Sequence, residues 1–468
     1  MKTSDNLFNQ IIMFDTDRMA EIVVGALIVL AIAYYLYTLI NGRQKKLSFL
    51  KISAQDKAHG IIFGKKGKKV VFSLENSEGS VGVFAATGAG KTTSIGIPTL
   101  RSWHGSLFVI DISGDIEKNC PDIHDKLTYA PGEDNGCVYN IFGCIDDLPS
   151  KEEQHEALEE LVILLMPETA DMNDAGRFFL LNGRKILTAA LIKGYDEGKD
   201  FIDICRSFIT KGYQDLFHDI DESRNSEAIS YINSFEGSSE QNTAGCKQAA
   251  DGAIKLFAIN HNMRSVKRPS PEETDIVPKL IEDHSIFIKV PDDKLELYSP
   301  LLNIITSQVM QYISSRSVSN TSKTILMFLD EFASLRISAE SIIAALRKYR
   351  KRKCRIMLLT QNLADLDMLY GNDTTRAIMS NLRFKVLLGG LAEPESQKYF
   401  AELIGYREVK KNSISHGEHT TRTESETREY VIEPADLDRQ GKDVVILIYS
   451  EGYGSGYIIL KKNFYFQD

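Results

Sequence analysis

The apolar run Val81-Gly82-Val83-Phe84-Ala85 leads directly into Ala86-Thr87-Gly88-Ala89-Gly90-Lys91-Thr92, and the helix-like Thr93-Ser94-Ile95-Gly96-Ile97 follows. Buried strand, glycine-rich turn and helix, in that order, make the P-loop arrangement. No other stretch constrains the fold as much, because such a turn builds its phosphate site at the carboxyl end of a strand in an α/β sheet. Backbone N–H groups from Ala86 to Thr93 can converge on phosphate oxygens at the positive end of the helix dipole. Lys91 is placed to reach the β- and γ-phosphates, and the Thr92 hydroxyl to hold magnesium, so ATP and Mg2+ are the expected ligands. The pattern G-x-x-x-x-G-K-[ST] has glycine where this chain has Ala85. If a positive φ were needed there, alanine would cost on the order of 1 kcal/mol. A chance glycine-rich turn is the plain alternative.

Thr324-Ile325-Leu326-Met327-Phe328-Leu329 is a second apolar run of strand type, and it ends in Asp330-Glu331. A carboxylate at the carboxyl end of a buried parallel strand faces the crevice in which nucleotide binds. Asp330 is therefore the candidate magnesium ligand, through water, and Glu331 the candidate general base toward the attacking water. An acidic pair that only caps the next helix is the competing explanation. A third run, Arg355-Ile356-Met357-Leu358-Leu359, leads into Thr360-Gln361-Asn362. Gln361 is the candidate sensor of the γ-phosphate or the nucleophilic water, with a plain strand cap as the alternative.

In chain order, Ala86 to Thr92, Phe108-Val109-Ile110-Asp111-Ile112-Ser113-Gly114-Asp115, Leu329 to Leu335 and Leu359 to Leu366 resemble the TraD/TraG-like coupling proteins of type IV secretion systems. The resemblance runs from about Gly60 to Val444–Ile448. It implies a RecA-like P-loop NTPase domain with a parallel-type sheet, an inserted all-α domain and an N-terminal transmembrane helix. It also implies a homo-hexameric ATPase at the inner face of the membrane. Such an ATPase couples a relaxase–DNA complex to the secretion channel and pumps single-stranded DNA. Many members carry two spans, whereas this chain shows one.

The pattern along the chain is compatible with that organisation. His155 to Leu165 and Arg184 to Ile192 place apolar residues three and four apart, the helical period, while Ser285-Ile286-Phe287-Ile288-Lys289-Val290 returns to strand type. Pro269 and Pro271 mark a return linker. The expected division is an anchor over 1–46, a first nucleotide-domain part over 47–145, a helical insert over 146–268 and a second nucleotide-domain part over 269–468. Lys411 to Arg428 is polar and without apolar period, and is expected to be an exposed loop.

The uncharged run Ile22 to Ile40 would rise about 28 Å as a helix, close to the roughly 30 Å of a hydrocarbon core. Tyr34, Tyr35 and Tyr37 sit near one end, where amphipathic rings favour the interface. Arg43, Lys45, Lys46 and Lys51 follow it, whereas Asp5, Asp15, Asp17 and Glu21 precede it against Lys2 and Arg18. The positive-inside rule then predicts a single-pass protein of the bacterial inner membrane with its bulk in the cytoplasm. A buried core helix is the alternative.

A formal net charge of -9 argues against coating nucleic acid by bulk electrostatics, so contact with DNA needs a local basic patch. Seven of the nine residues from Arg347 to Arg355 are basic. They read either as a solvated helix end that complements the dipole or as groups facing DNA phosphates or a neighbour's nucleotide. Arg347, Arg350, Arg376 and Arg383 are candidates for an arginine acting in trans, and Tyr370 for a base-stacking aromatic. The six cysteines form no C-x-x-C pair and the nine histidines no H-E-x-x-H spacing, so the thiols read as free and zinc chemistry has no support. Three functions remain open. They are an ATP-driven single-stranded DNA translocase, a docking receptor for relaxosome or effector proteins, and a double-stranded DNA pump of the FtsK/HerA kind.

Overall fold

Short runs of Val, Ile, Leu, Met and Phe that are buried on both faces form parallel strands, and this chain uses them to build the centre of a large sheet. The computed structural model describes residues 49–112, 114–168, 172–416, 420–451 and 454–466. The strands in chain order are β1 (Lys51–Ser53), β2 (Gly60–Lys66), β3 (Lys69–Leu74), β4 (Ser80–Phe84), β5 (Ser106–Asp111), β6 (Lys126–Tyr129), β7 (Cys137–Tyr139), β8 (Thr274–Ile276), β9 (Ser285–Lys289), β10 (Ile325–Leu329), β11 (Cys354–Thr360), β12 (Leu382–Leu388), β13 (Tyr406–His416), β14 (Thr420–Tyr430), β15 (Val444–Glu451) and β16 (Gly454–Lys461). Twelve of them form one sheet in the order β1-β3-β2-β16-β15-β12-β4-β11-β10-β5-β9-β6. From β12 to β6 every neighbouring pair is parallel. On the other side β15, β16, β2 and β3 close the sheet with antiparallel pairs. All residues of β4, β5, β10 and β11 are buried, as the uninterrupted apolar runs demand.

Between β7 and β8 the chain is helical. The long helices are Lys151–Leu165, Asp174–Asp196 and Glu240–Ile259, with shorter ones at Phe201–Thr210, Tyr213–Glu222 and Ser226–Asn233. Polar N-caps start several of them: Ser150 accepts from Glu153 N–H, Asn173 from Gly176 N–H, Asn225 from Ala228 N–H and Ser239 from Asn242 N–H. β7 and β8 pair in parallel, Val138 opposite Asp275, so the chain leaves for the helices and returns from them through adjacent strands. The helices dock on the helix Leu295–Ser315, where Asn303 donates to the Leu164 carbonyl at 3.3 Å. There too Gln308 accepts from the Tyr139 hydroxyl at 2.7 Å. Residues Ile52–Asp468 make one compact unit.

Lys411 to Arg428 is not a loop. It forms most of the antiparallel hairpin β13–β14, paired from Tyr406↔Tyr430 to His416↔Thr420 and separate from the main sheet. An apolar alternation reports burial of one strand face, and this hairpin pairs only with itself, so that signal is missing. The expected span at Ile22 to Ile40, with the whole 1–46 anchor, lies outside the described residues. Among the described residues no helix is long and apolar enough to cross a membrane.

Candidate functional site: a phosphate loop facing an acidic strand end

The register of three adjacent strands brings the motifs together. Phe84, the last residue of β4, lies opposite Thr360 of β11, and Leu329 of β10 lies opposite Leu358. The phosphate loop, Gln361 and the Asp330-Glu331 pair therefore leave the same edge of the sheet, with Gln361 on the strand between the other two. Ala85 N–H donates to the Thr360 carbonyl at 3.3 Å, joining the loop to the β11 end. Ala85 is fully buried and is not among the residues with positive φ, so glycine is not required there. Gly88 and Gly90 do need their freedom, at φ +75° and +89°.

The loop enters a π-helical turn, Thr92–Gly96, which continues as the helix Ile97–Arg101. π-Turns cost hydrogen-bond geometry and concentrate at functional positions. Ser94 Oγ donates back to the Gly90 carbonyl at 2.7 Å. Gly96 lets the turn lie against the sheet, since a Cβ there would stand 2.8 Å from Phe328 Cζ of β10. Ala86, Ala89, Gly90, Thr92 and Thr93 are half-buried, while Thr87 and Gly88 are exposed, leaving the concave side of the loop open.

Lys91 is 7% exposed, and its ammonium spans the crevice. Its Nζ donates to the Ala85 carbonyl at 3.2 Å and pairs with Glu331 Oε1 at 3.4 Å. Glu331 takes a left-handed backbone, φ 43°, uncommon outside glycine. Asp330 is buried, and Oδ1 accepts the Glu331 N–H at 3.2 Å. Burial, followed by the charges of Glu331 and Asp111, pushes the Asp330 carboxyl up to about 7, with Lys91 acting in the opposite sense. Gln361 is half-buried and makes no hydrogen bond to a described residue.

The site tolerates a divalent cation on these grounds. A crowded, buried carboxylate whose charge is disfavoured gains from a cation, and the hydroxyl of Thr92 and carboxylate of Asp330 are the hard oxygen donors magnesium takes. No cluster of three or more His, Cys, Asp or Glu able to hold a metal occurs among the described residues. A magnesium ion here would accordingly take most of its ligands from phosphate and water.

Sequence reasoning assigned no role to Asp111, although it lies in a quoted run. It ends β5, fully buried, and its two oxygens accept N–H bonds from Gly114 at 2.8 Å and Glu117 at 2.7 Å. Asp111 thus shapes the turn beside Asp330 and adds to its negative surroundings. Also missed was the segment after β16: Lys462 Nζ donates to the Ala89 carbonyl at 2.8 Å and Tyr465 N–H to the Thr93 carbonyl at 3.1 Å. No motif marks that segment.

The basic stretch lies at the other edge of the sheet, where β4 and β11 begin. There a cavity of 560 Å³ is lined by Arg347, Arg350, Lys353, Arg355 and Arg383 together with Glu75 and Glu78. Arg355 is buried and donates to the carbonyls of Gly79 and Leu74 and to Ser73 Oγ, so it serves the fold. Arg350 pairs with Glu78, and Arg347, Lys348 and Lys351 are exposed. Arg376 pairs with Asp367 at 3.7 Å and lies 4.8 Å over the Tyr399 ring. Tyr370 is not a free stacking surface. Its hydroxyl donates to the Ile337 carbonyl at 2.8 Å and its ring stacks on Phe332.

A parallel sheet with a phosphate loop on one strand, an acidic pair two strands away and a polar residue on the strand between defines a P-loop NTPase core. The family model for type IV secretory system conjugative DNA transfer matches residues 43–468. The chain belongs to this family, that of the type IV secretion coupling proteins. Protein VirD4 of Agrobacterium fabrum (strain C58) is 25% identical over 349 residues, 72% of this chain and 51% of that protein. Protein VirD4 of Rhizobium rhizogenes is 24% identical over 375 residues, 77% of this chain and 54% of that protein. The chain thus spans about half the length of the VirD4 relatives it matches. Among solved structures, the bacterial conjugative coupling protein TrwBdeltaN70 superimposes with a TM-score of 0.65 at 18% identity, covering 82% of this chain and 85% of that one. The plasmid coupling protein TrwB in complex with ADP and Mg2+ gives 0.65 at 18% identity, over 84% of this chain and 88% of that one. These likenesses show the fold.

Proposed function

We propose that this protein is an ATPase that couples ATP hydrolysis to transfer of single-stranded DNA, with bound relaxase, into a type IV secretion channel. In this reading residues 1–46 anchor it in the bacterial inner membrane, 47–145 and 269–468 form the nucleotide domain, and 146–268 form the helical insert. Six copies form a ring. The observation that carries the proposal is the approach of Lys91 to Glu331 across the edge shared by β4, β11 and β10.

The chemistry follows from what each side chain can do. Backbone N–H groups of Ala86 to Thr93 would hold the phosphates, and Lys91 would exchange Glu331 for the β- and γ-phosphate oxygens. That exchange frees the Glu331 carboxylate to orient a water and accept its proton. Gln361, between the loop and the acidic pair, would position that water or sense the γ-phosphate. Bound magnesium, held by Thr92 and Asp330, would supply positive charge against the phosphate oxygens. Arg347 and Arg350 stand at the opposite edge from their own Lys91, so any nucleotide they touch belongs to a neighbour in the ring. TrwB has been solved with ADP and Mg2+ and with a non-hydrolysable ATP analogue, which supports the same ligands for this chain.

The test is ATP turnover by a version lacking residues 1–46, with and without single-stranded DNA, beside Lys91→Ala and Glu331→Gln. DNA-stimulated turnover lost in both variants is the expected result. Nucleotide binding without turnover, even with DNA present, would sink the motor and favour a receptor that uses nucleotide for assembly.

A further inference from the structure

Strand direction decides where the chain goes after the sheet. β15 is antiparallel to both β12 and β16, and β12 is parallel to β4. β16 therefore delivers its carboxyl end to the same edge as the phosphate loop. The next residues cross to that loop and are tied to it twice, by Lys462 Nζ on the Ala89 carbonyl and by Tyr465 N–H on the Thr93 carbonyl. Arg101, at the end of the helix that follows the loop, lies 5.0 Å over the Tyr465 ring.

Between those two ties sits Phe464. Its ring is so close to the loop that a Cβ on Gly90 would stand 3.3 Å from Phe464 Cε1. Phe466 stacks on Phe464 with centroids 5.3 Å apart and planes 27° from parallel, and Phe466 is 61% exposed. Phe464 is itself only half-buried. Two stacked phenylalanine rings thus stand partly in water at the rim of the phosphate loop. Held there by polar contacts, they gain little from burial in the protein itself.

We propose that Phe464 and Phe466 form the shelf on which the base of the bound nucleotide stacks. The inference rests on residues 86–93 being the phosphate loop. With the β- and γ-phosphates at Lys91, the α-phosphate falls toward Thr93, and ribose and base leave the loop on the side that Phe464 and Tyr465 border. A base presents a flat π-face to an aromatic ring and needs no hydrogen-bond partner for this contact. Lys462 and Tyr465 fasten the shelf to the loop backbone, so the base contact and the phosphate contact share one rigid support.

The experiment measures equilibrium binding of Mg-ATP and of Mg-tripolyphosphate, which lacks ribose and base, to the full chain in detergent. The proteins compared are the wild type, Phe464→Ala, Phe464→Trp and Lys91→Ala. Phe464→Ala is expected to weaken Mg-ATP by about tenfold and to leave tripolyphosphate within about twofold. Phe464→Trp is expected to keep ATP affinity and to show fluorescence quenched by Mg-ATP but not by tripolyphosphate, above the signal of Trp103. Equal loss of both ligands in Phe464→Ala, with no ATP-specific quenching in Phe464→Trp, overturns the shelf and leaves the segment a brace for the loop. Unchanged ATP affinity in Phe464→Ala overturns it as well. If Lys91→Ala binds both ligands as the wild type does, the phosphate-loop reading falls, whatever Phe464 does.

Discussion

Asp330 carries the largest electrostatic tension among the residues assigned to the site. Burial pushes its carboxyl up to about 7, against about 3.9 in an unfolded chain. Between those values the folded state holds a proton that the unfolded state has released, so stability falls as pH rises from about 4 to about 7 and is level above. Asp330→Asn removes the charge, and the nucleotide-free variant should melt about 2 °C higher than wild type at pH 8 and no higher at pH 4.5. Scanning calorimetry at both values checks this, and a lower melting temperature at pH 8 would count against the burial argument. On the proposed reading the same substitution should abolish turnover, because the site would give up stability for a carboxylate that holds the cation. Glu331→Gln should bind Mg-ATP as wild type does and lose about 10²–10⁴-fold in turnover. A binding assay beside a phosphate-release assay separates the two effects. Lys91 and Glu331 could be singled out in the sequence as candidates because phosphate chemistry demands those residue types beside a glycine turn and at a strand end, and the structure places them 3.4 Å apart. Asp111 was not, since an aspartate ending a strand looks the same whether it meets solvent or braces a neighbouring turn.

At the scale of elements, the phosphate loop depends on how closely its π-turn lies on β10. Gly96→Val would drive side-chain atoms into Phe328, which is 2.8 Å from a bare Cβ, and should cost about 1–3 kcal/mol. Thermal melts with and without Mg-ATP should show a lower melting temperature and a smaller shift on adding nucleotide. The hairpin β13–β14 behaves in the opposite way. Its strands pair only with each other, and its base is held by the Tyr406–Tyr430 stack at 4.7 Å and by Arg428 over Tyr406. Lys410 faces Glu426 across it, so replacing residues 411–425 with Asn-Gly closes a two-residue turn on a facing pair. The melting temperature should move by less than about 1 °C, as for surface changes away from the core. A fall of several degrees would show that the hairpin supports the sheet. The amphipathic helices were readable because burial of one face imposes a period, and the central strands because burial of both faces imposes an uninterrupted apolar run. The hairpin was not, because its strands pair only with each other and their sequence carries no apolar period.

For the whole molecule, the sheet sets two edges that carry candidate residues against each other. Lys91, Asp330, Glu331 and Gln361 leave at one edge, while Arg347 and Arg350 stand beside the cavity at the other. On the proposed reading, a single copy could not bring its own arginines to its own nucleotide, whereas a ring of copies could. Arg350→Ala should keep nucleotide binding and lose turnover. Mixing it with equally inactive Lys91→Ala should restore part of the activity, because some interfaces then pair an intact phosphate loop with an intact arginine. Absence of recovery in mixed assemblies shown to contain both chains would argue against action in trans. Among the other candidates, Arg376 is already engaged by Asp367 and Tyr399, and Arg383 donates to the Glu78 carbonyl at 3.3 Å and lies over the Phe384 ring.

The sequence by itself determined where a phosphate loop, an acidic strand end and a polar strand end lie along the chain, each recognisable because local backbone geometry and residue type suffice to mark it. It also marked the helical stretch and the uncharged run at Ile22 to Ile40, since both are periodic or compositional. Only the tertiary structure decided which strand lies between β4 and β10, that β16 returns its chain to the phosphate loop, and that the basic run divides into a buried Arg355 and exposed neighbours. Those facts depend on strand order and register. They are set by packing between segments far apart in the chain, and no local pattern encodes them.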